Sequence, residues 1–434
     1  MADVSHSFDH TPIGRPNNFL AHRILVISFA ALAFIILAGT RPFEGSLLSE
    51  TGTSGRGSAF EALLYLATSV GCLGACVHLA ASKLINVWTV GVMVLLGYCA
   101  FSLTWSHTAS IGTVRFGQLA LVTLAIAGTV FTLGTQQVFQ ITYRILLVIL
   151  LVNFLSVALI PSAVHQIGES GTYPANVTSW KGVHIHKNYA GPVAALTASM
   201  AFILGMSERR IHLLVALAAF AFLWNTNSSA SLLALSAGVT FMVGSKVLCW
   251  LLGRDVARFV LLFLLVVILV AVPFLSKSFA ELLNDPYALT GRVELWHALI
   301  QYIKTYPWTG SGYGSFWRVG DNSPILHLTD GWATETGQGH NGYLDVAATI
   351  GIPGLVIVVC LLIVAPCVAL FRKLQGGILE FDVILAFFVF ALVHNAAETS
   401  LLSPNHPVYF ALLLAVFGVS ALPARTQKVD QSHV

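Results

Sequence analysis

The sequence predicts an all-α, polytopic membrane protein: a helical bundle of about twelve transmembrane helices with a large ordered loop outside it. Three observations predict this. Apolar residues fill 56% of the 434 positions and charged residues only 9%, against roughly 25% charged in an average soluble domain. Mean hydropathy is +0.80. Apolar runs of about 17–25 residues, the length that crosses a bilayer, recur along the whole chain. A soluble globule of this size could not cover its surface with 22 basic and 19 acidic side chains, so soluble function classes are excluded. A net charge of +3 gives no nucleic-acid signature.

The runs lie near 24–40, 60–80, 85–104, 116–135, 144–160 and 188–206, then near 211–225, 229–245, 259–276, 343–370, 381–402 and 407–422. The first, without a small-residue cleavage site, is read as a retained span rather than a removed leader. The pair 211–225 and 229–245, parted by Asn227 and Ser228, reads either as two spans or as one broken hairpin. Cys72, Cys76, Cys99, Cys249, Cys360 and Cys367 all lie in apolar runs and read as small buried hydrophobes, not as a metal set or disulfide framework. With no repeat, linker or broken helix visible, residues 1–434 read as one transmembrane domain, with 278–342 as a loop subdomain between spans nine and ten.

Twelve spans put both termini on one side. One set of loops concentrates Arg15, Arg23, Lys83, Arg144, Arg209, Arg210, Lys246, Arg254, Arg258, Arg372, Lys373, Arg425 and Lys428. By the positive-inside rule that side is cytoplasmic, with both termini there. The long loops 41–59, 161–187 and 278–342 then face outward. The last holds Trp296, Trp308, Trp317 and Trp332, so it is expected to fold and pack on the membrane face and to carry function.

Within it, Val293, Trp296, Leu299, Ile300 and Ile303 recur at helical spacing, Thr290 stands at the N-cap position, and Pro307 ends the segment. Arg292 falls in the first turn, where a cation is unfavourable unless an anion compensates it, and where a guanidinium adds a bidentate phosphate donor. Pairing with Glu294 or a lipid headgroup is the alternative. The run Thr309-Gly310-Ser311-Gly312-Tyr313-Gly314-Ser315-Phe316-Trp317 matches no dinucleotide or P-loop spacing and reads as a tight turn seating aromatics on the bundle. His340, in Gly339-His340-Asn341-Gly342, stands at the membrane boundary, where an imidazole can take a proton from a hydroxyl or simply hold structure. His184 and His186 form an H-x-H pair without a third metal ligand nearby, and Lys187 reads as a phosphate contact or a snorkelling side chain. Arg115 heads a span. His394 and Glu398, spaced i, i+4, read as one face of an apolar helix, where ionisable groups mark a site or pin helices together.

In order, Trp105-Ser106, Ser110 and Arg115, then His186-Lys187-Asn188, Thr290-Gly291-Arg292, Trp296, Pro307, Gly310 to Trp317, His340-Asn341, Tyr343-Leu344, Gly351 to Gly354 and a late Glu398 before Ser403-Pro404-Asn405 resemble the O-antigen ligase and Wzy-type polymerase superfamily. The wording of the motifs is most like the exopolysaccharide polymerases of succinoglycan type. The resemblance spans about residues 100 to 420.

The resemblance implies a glycosyltransferase of the bacterial inner membrane that inverts the anomeric centre, needs no metal or other cofactor, and works on the periplasmic face. Its donor is an undecaprenyl-diphosphate-linked glycan held in membrane lipid. In the polymerase reading the acceptor is a second lipid-linked repeat unit, and a chain-length regulator joins the partners. In the ligase reading the acceptor is the lipid A core. His340 and Arg292 become the catalytic candidates, Arg292, Lys187 and Arg115 the pyrophosphate contacts, and His186, Asn341, Glu398 and His394 supporting residues. A transporter of lipid-linked sugars is the alternative of another class; such folds show inverted repeats and broken helices.

Overall fold

The computed structural model describes residues 16–43, 59–166, 177–257, 260, 292–329, 332–374 and 378–422. Its main helices are α1 (Pro16–Ala38), α2 (Ala59–Ala80), α3 (Val87–Ser102), α4 (Ala109–Leu133), α5 (Thr135–Leu159), α6 (Lys187–Ser207), α7 (Ile211–Asn225), α8 (Ser229–Leu252), α9 (Arg292–Thr305), α10 (Gly342–Val358), α11 (Ala365–Arg372), α12 (Leu379–Ala397) and α13 (Pro407–Ala421). Among the described residues nine helices are long and apolar enough to cross a membrane, α10 and α11 counting as one through a π-helical turn at Val359–Val364; α7 and α13 are shorter and apolar. The expected ninth span, 259–276, lies outside the described residues, as does Thr290.

The bundle is ordered around its most enclosed helices. Nearly every side chain of α13 is buried, and α6 and α12 are buried on most of their surface, as expected of helices that are apolar all round. The outer helices instead show rows such as Leu63, Leu66, Val70 and Val77 on α2 to the surroundings, the pattern of a protein solvated by lipid. Helix α7 packs along α6 while α8 packs along α12, so residues 211–252 form two separately docked helices and not a hairpin. Helices α8 and α12 are also joined by Lys246 Nζ to the buried Asp382, 2.6 Å apart. Cys72, Cys76 and Cys99 are buried as expected, but Cys360 is exposed on the π-helical turn.

One sequence expectation is corrected here. Helix α10 is broken, at Ile350 (φ −122°, ψ 17°) and Gly351 (φ 74°, ψ 174°). Inside lipid such a break is tolerated only where protein satisfies the freed backbone, and the segment after α9 contributes to this together with Tyr98 of α3. Pro307 O accepts from Ile352 N at 2.7 Å, Ser311 N donates to Ala348 O at 3.0 Å, and Tyr98 Oη donates to Ile350 O at 3.3 Å. Gly351 has to be glycine on two counts: its positive φ, and a Cβ that would fall 2.5 Å from Trp308 O.

The segment from α9 to α10 builds its own small core from Leu295, Trp296, Ala298, Leu299, Phe316, Ile325, Ala333 and Ala348. It is sewn to the bundle by Trp105 Nε1 to Thr309 O (3.0 Å), Tyr313 N to Ser102 Oγ (2.9 Å) and Tyr313 Oη to Leu402 O (2.9 Å). The glycine-rich run is thus the turn that seats Tyr313 and Phe316, while Trp308 stays exposed.

Candidate functional site

Three other chain segments converge on Glu398. The sequence reading placed this residue on a helix beside His394, and that is corrected: α12 stops at Ala397, and Glu398 is extended (φ −145°, ψ 164°). The stop is local. Asn395 Oδ1 accepts from Ser400 N (3.0 Å) and Leu401 N (2.9 Å), folding the chain back over the helix end. The Glu398 carboxylate therefore points across the bundle to residues at the N-termini of three other helices. Arg292 Nη2 donates to Oε1 at 2.6 Å, Asn188 Nδ2 donates to the same oxygen at 3.1 Å, and His340 Nδ1 lies 2.7 Å from Oε2. Arg292 Nη1 also donates to the Ala397 carbonyl. The alternative partner for Arg292, Glu294, is exposed and accepts from Thr329 instead.

Burial raises the Glu398 carboxyl's proton affinity, but the His340 imidazole and the Arg292 guanidinium override it and hold the group well below the usual carboxylate range. The site therefore keeps a buried anion against Arg292. Among the described residues these contacts engage two of the guanidinium's five N–H donors. Its side chain is 21% exposed and that of His340 17%, so both are reachable by a ligand.

The Gly-His-Asn-Gly motif owes each residue to geometry. A Cβ on Gly339 would meet Asp345 Oδ1 at 2.7 Å, and one on Gly342 would meet Asn395 Oδ1 at 2.3 Å. Asn341 caps α10, accepting from Tyr343 N and Leu344 N at 3.1 Å each. His340 itself is held at φ 49°, the left-handed region that only a well-determined surrounding imposes on such a residue.

Around this centre lie further imidazoles. His186 caps α6, its Nδ1 accepting from Asn188 N at 3.1 Å, and stacks edge-on against His165 at 4.9 Å. Burial first, and then neighbouring His165, push His186 down to about 3, with Glu398 opposing; His406, buried beside His394, is likewise lowered to about 3. Both are neutral acceptors. His184 is turned elsewhere, its Nε2 3.4 Å from Asn153 Nδ2. The H-x-H pair is thus divided between two duties, and among the described residues no group of three or more His, Cys, Asp or Glu is arranged to hold a metal ion. His394 is buried, stacked on Phe390 at 5.6 Å and 5.9 Å from His406.

The cations divide as well. Lys187 sits at the start of α6 with its Nζ 3.0 Å from Asn227 O, in electrostatic range of Glu398 and Arg292. Arg115 is not at the centre. Its guanidinium donates to the carbonyls of Gly314, Trp317 and Arg318, so its direct partners are the backbone of the turn that presents Arg318. Arg318 packs against Gly337, where a Cβ would come 2.5 Å from its Nε, and lies in electrostatic range of Tyr189. Sequence reasoning missed Arg318, Asn188 as a direct Glu398 partner, and Asp345. Only the Asn188 position carried a signal, as the residue after His186-Lys187.

No curated protein matches the chain. Residues 195–359 match the family model Wzy_C, described as O-Antigen ligase; the match runs from within α6 to the π-helical turn and takes in Arg292 and His340. Over those residues the chain is similar to that family.

Proposed function

We propose that this membrane protein transfers a glycan from a polyprenyl diphosphate carrier to an acceptor hydroxyl, without a metal, on the periplasmic face of the bacterial inner membrane. The observation that carries the reading is the Glu398 centre: one buried carboxylate holding a guanidinium on one oxygen and an imidazole on the other. In the reaction a bond forms between the acceptor oxygen and the anomeric carbon, and the bond from that carbon to the phosphate oxygen breaks. With Glu398 fixing a proton on His340 Nδ1, Nε2 is the lone pair that takes the hydroxyl proton. The electron pair leaves with the lipid diphosphate, whose growing charge meets Arg292 and Lys187. Arg115 supports that half by holding the turn of Arg318, and His186, Asn341 and His394 fix helix ends and packing around it.

For the acceptor, the family's description as O-antigen ligase favours the lipid A core over a second repeat unit, reversing the order suggested by the motif wording. A transporter is disfavoured because three backbone groups at the α10 break, Ala348 O, Ile350 O and Ile352 N, are already bonded to Ser311, Tyr98 and Pro307.

The test is donor binding and turnover in nanodiscs, using lipid-linked glycan extracted from the producing cells. Arg292→Ala is expected to weaken donor binding and lower turnover about a hundredfold, with only partial rescue by Arg292→Lys, which restores charge but not the fork. His340→Ala is expected to keep donor binding and abolish transfer. Product formed with lipid A core and not with a second lipid-linked unit assigns the ligase, and the converse the polymerase. Normal product from His340→Ala removes it from the mechanism.

A further inference from the structure

We infer that Asp345 is a positioning residue for the His340–Glu398 pair, setting both partners through one carboxylate oxygen. This rests on the reading of His340 as the group that meets the acceptor. Asp345 lies in the first turn of α10 and is 5% exposed. Its Oδ2 accepts from Gly339 N at 2.9 Å and from Thr399 Oγ1. Gly339 immediately precedes His340, and Thr399 immediately follows Glu398. One oxygen atom thus grips the chain next to each member of the pair, although the two are 58 positions apart. Its Oδ1 is anchored by Trp317 Nε1 at 2.8 Å, which ties the Arg318 turn to the same point.

The need for such a grip is visible at His340. A left-handed φ on a non-glycine residue is unfavourable and persists only when neighbours over-determine it. Gly339, the residue before His340, is held at both of its peptide groups, its N–H by Asp345 and its carbonyl, which belongs to the peptide entering His340, by Trp296 Nε1 at 3.0 Å. The absence of a Cβ at Gly339 is what lets the carboxylate approach. On the far side, Gly342 N donates to the Glu398 carbonyl at 3.2 Å, closing the ring of contacts. Two N–H groups and a hydroxyl converge on the carboxylate, and only a group that accepts at both oxygens satisfies them. An Asn in its place always turns its NH2 toward either the Gly339 or the Trp317 N–H, whichever way the amide is flipped.

The experiment compares wild type with Asp345→Asn, Thr399→Val and Trp317→Phe as full-length protein in nanodiscs. Three quantities are read: melting temperature, the rate at which diethylpyrocarbonate modifies His340 as resolved by mass spectrometry, and kcat and KM with lipid-linked glycan from the producing cells. Loss of one such hydrogen bond is expected to change the His340 modification rate by about threefold or more. With it, kcat falls by about tenfold or more while KM stays within about twofold, as when a reacting group is displaced by a fraction of an ångström. Thr399→Val removes one donor and leaves the carboxylate, so it carries the same test, with a smaller effect, if Asp345→Asn does not fold. Unchanged His340 modification in a folded Asp345→Asn or Thr399→Val protein overturns the inference, as does a rise in KM at constant kcat. If His340→Ala remains active while Asp345→Asn still alters His340 modification, the positioning stands and the acid–base reading of His340 falls.

Discussion

Glu398→Gln removes one charge from the centre of the site at nearly constant shape. The carboxylate serves Arg292 and Asn188 on one oxygen and His340 on the other; a carboxamide has only one oxygen. With its NH2 toward Arg292 it sets donor against donor and leaves a largely enclosed guanidinium without its anion. With its NH2 toward His340 it makes Nδ1 the acceptor, moves the ring proton to Nε2, and abolishes the lone pair that would meet the hydroxyl. A charge-assisted hydrogen bond contributes about 1.5–3 kcal/mol, and the Arg292 side chain is 21% exposed, so water offsets part of its loss. A stability decrease of about 2 kcal/mol follows. Turnover suffers more, by about a hundredfold for one lost contact at a developing charge and by up to about 10⁴ if the tautomer inverts. Glycan transfer and thermal unfolding of the purified variant measure both. A kcat within about threefold of wild type would refute the reasoning, because neither amide orientation leaves the pair intact.

Four further outcomes are expected. The Glu398 carboxyl is held below its usual value of 4.5, so its contribution to stability is complete above that pH and is lost as pH falls through its lowered value; the gap in melting temperature between wild type and Glu398→Gln should shrink on acidification below pH 4.5, and a gap that widens would reverse the sign. Arg115→Ala strips the 314–318 turn of its carbonyl partner, so melting temperature and kcat should fall together; raised donor KM with unchanged melting would make it a phosphate contact instead. Turnover should survive EDTA, and loss with rescue by a divalent ion would reopen His184 and His186 as a metal site. A reporter active only in the periplasm should be active when inserted within 320–329 and silent after Val434, the opposite pattern meaning that the basic loops face outward.

The spans were legible because lipid imposes a length and a composition that a single sequence displays directly. Eleven of the twelve expected runs coincide with apolar helices of the described residues, though ends shift: α4 starts at Ala109, before the expected 116. That early start was hidden by Arg115, which reads as the head of the span until its carbonyl partners are seen. Arg292 was legible as a cation in a helix's first turn, His340 as an imidazole at the membrane boundary, and Glu398 as an ionisable group in an apolar run. Their convergence was not, since it depends on α12 ending at Ala397, and the end is set by Asn395, an ordinary helix residue by pattern. Asp345 was hidden for the same reason: its three donors come from positions 317, 339 and 399, a set that no local spacing brings together. The break in α10 was masked by an uninterrupted apolar run from Val346 onward, in which Gly351 and Pro353 were the sole signs.

That break also sets an order of manufacture. Pro307 and Ser311, which complete the backbone around Ile350, stand earlier in the chain than the span they complete. During synthesis the missing partners are therefore made before the helix that requires them, and the helix need not wait in lipid with open peptide groups, each worth several kcal/mol. A circularly permuted chain in which residues 292–341 follow Arg372 would have the same contacts available and the opposite sequence of events. Its yield in the membrane, compared with that of the natural order, reports how far assembly relies on a loop that arrives first.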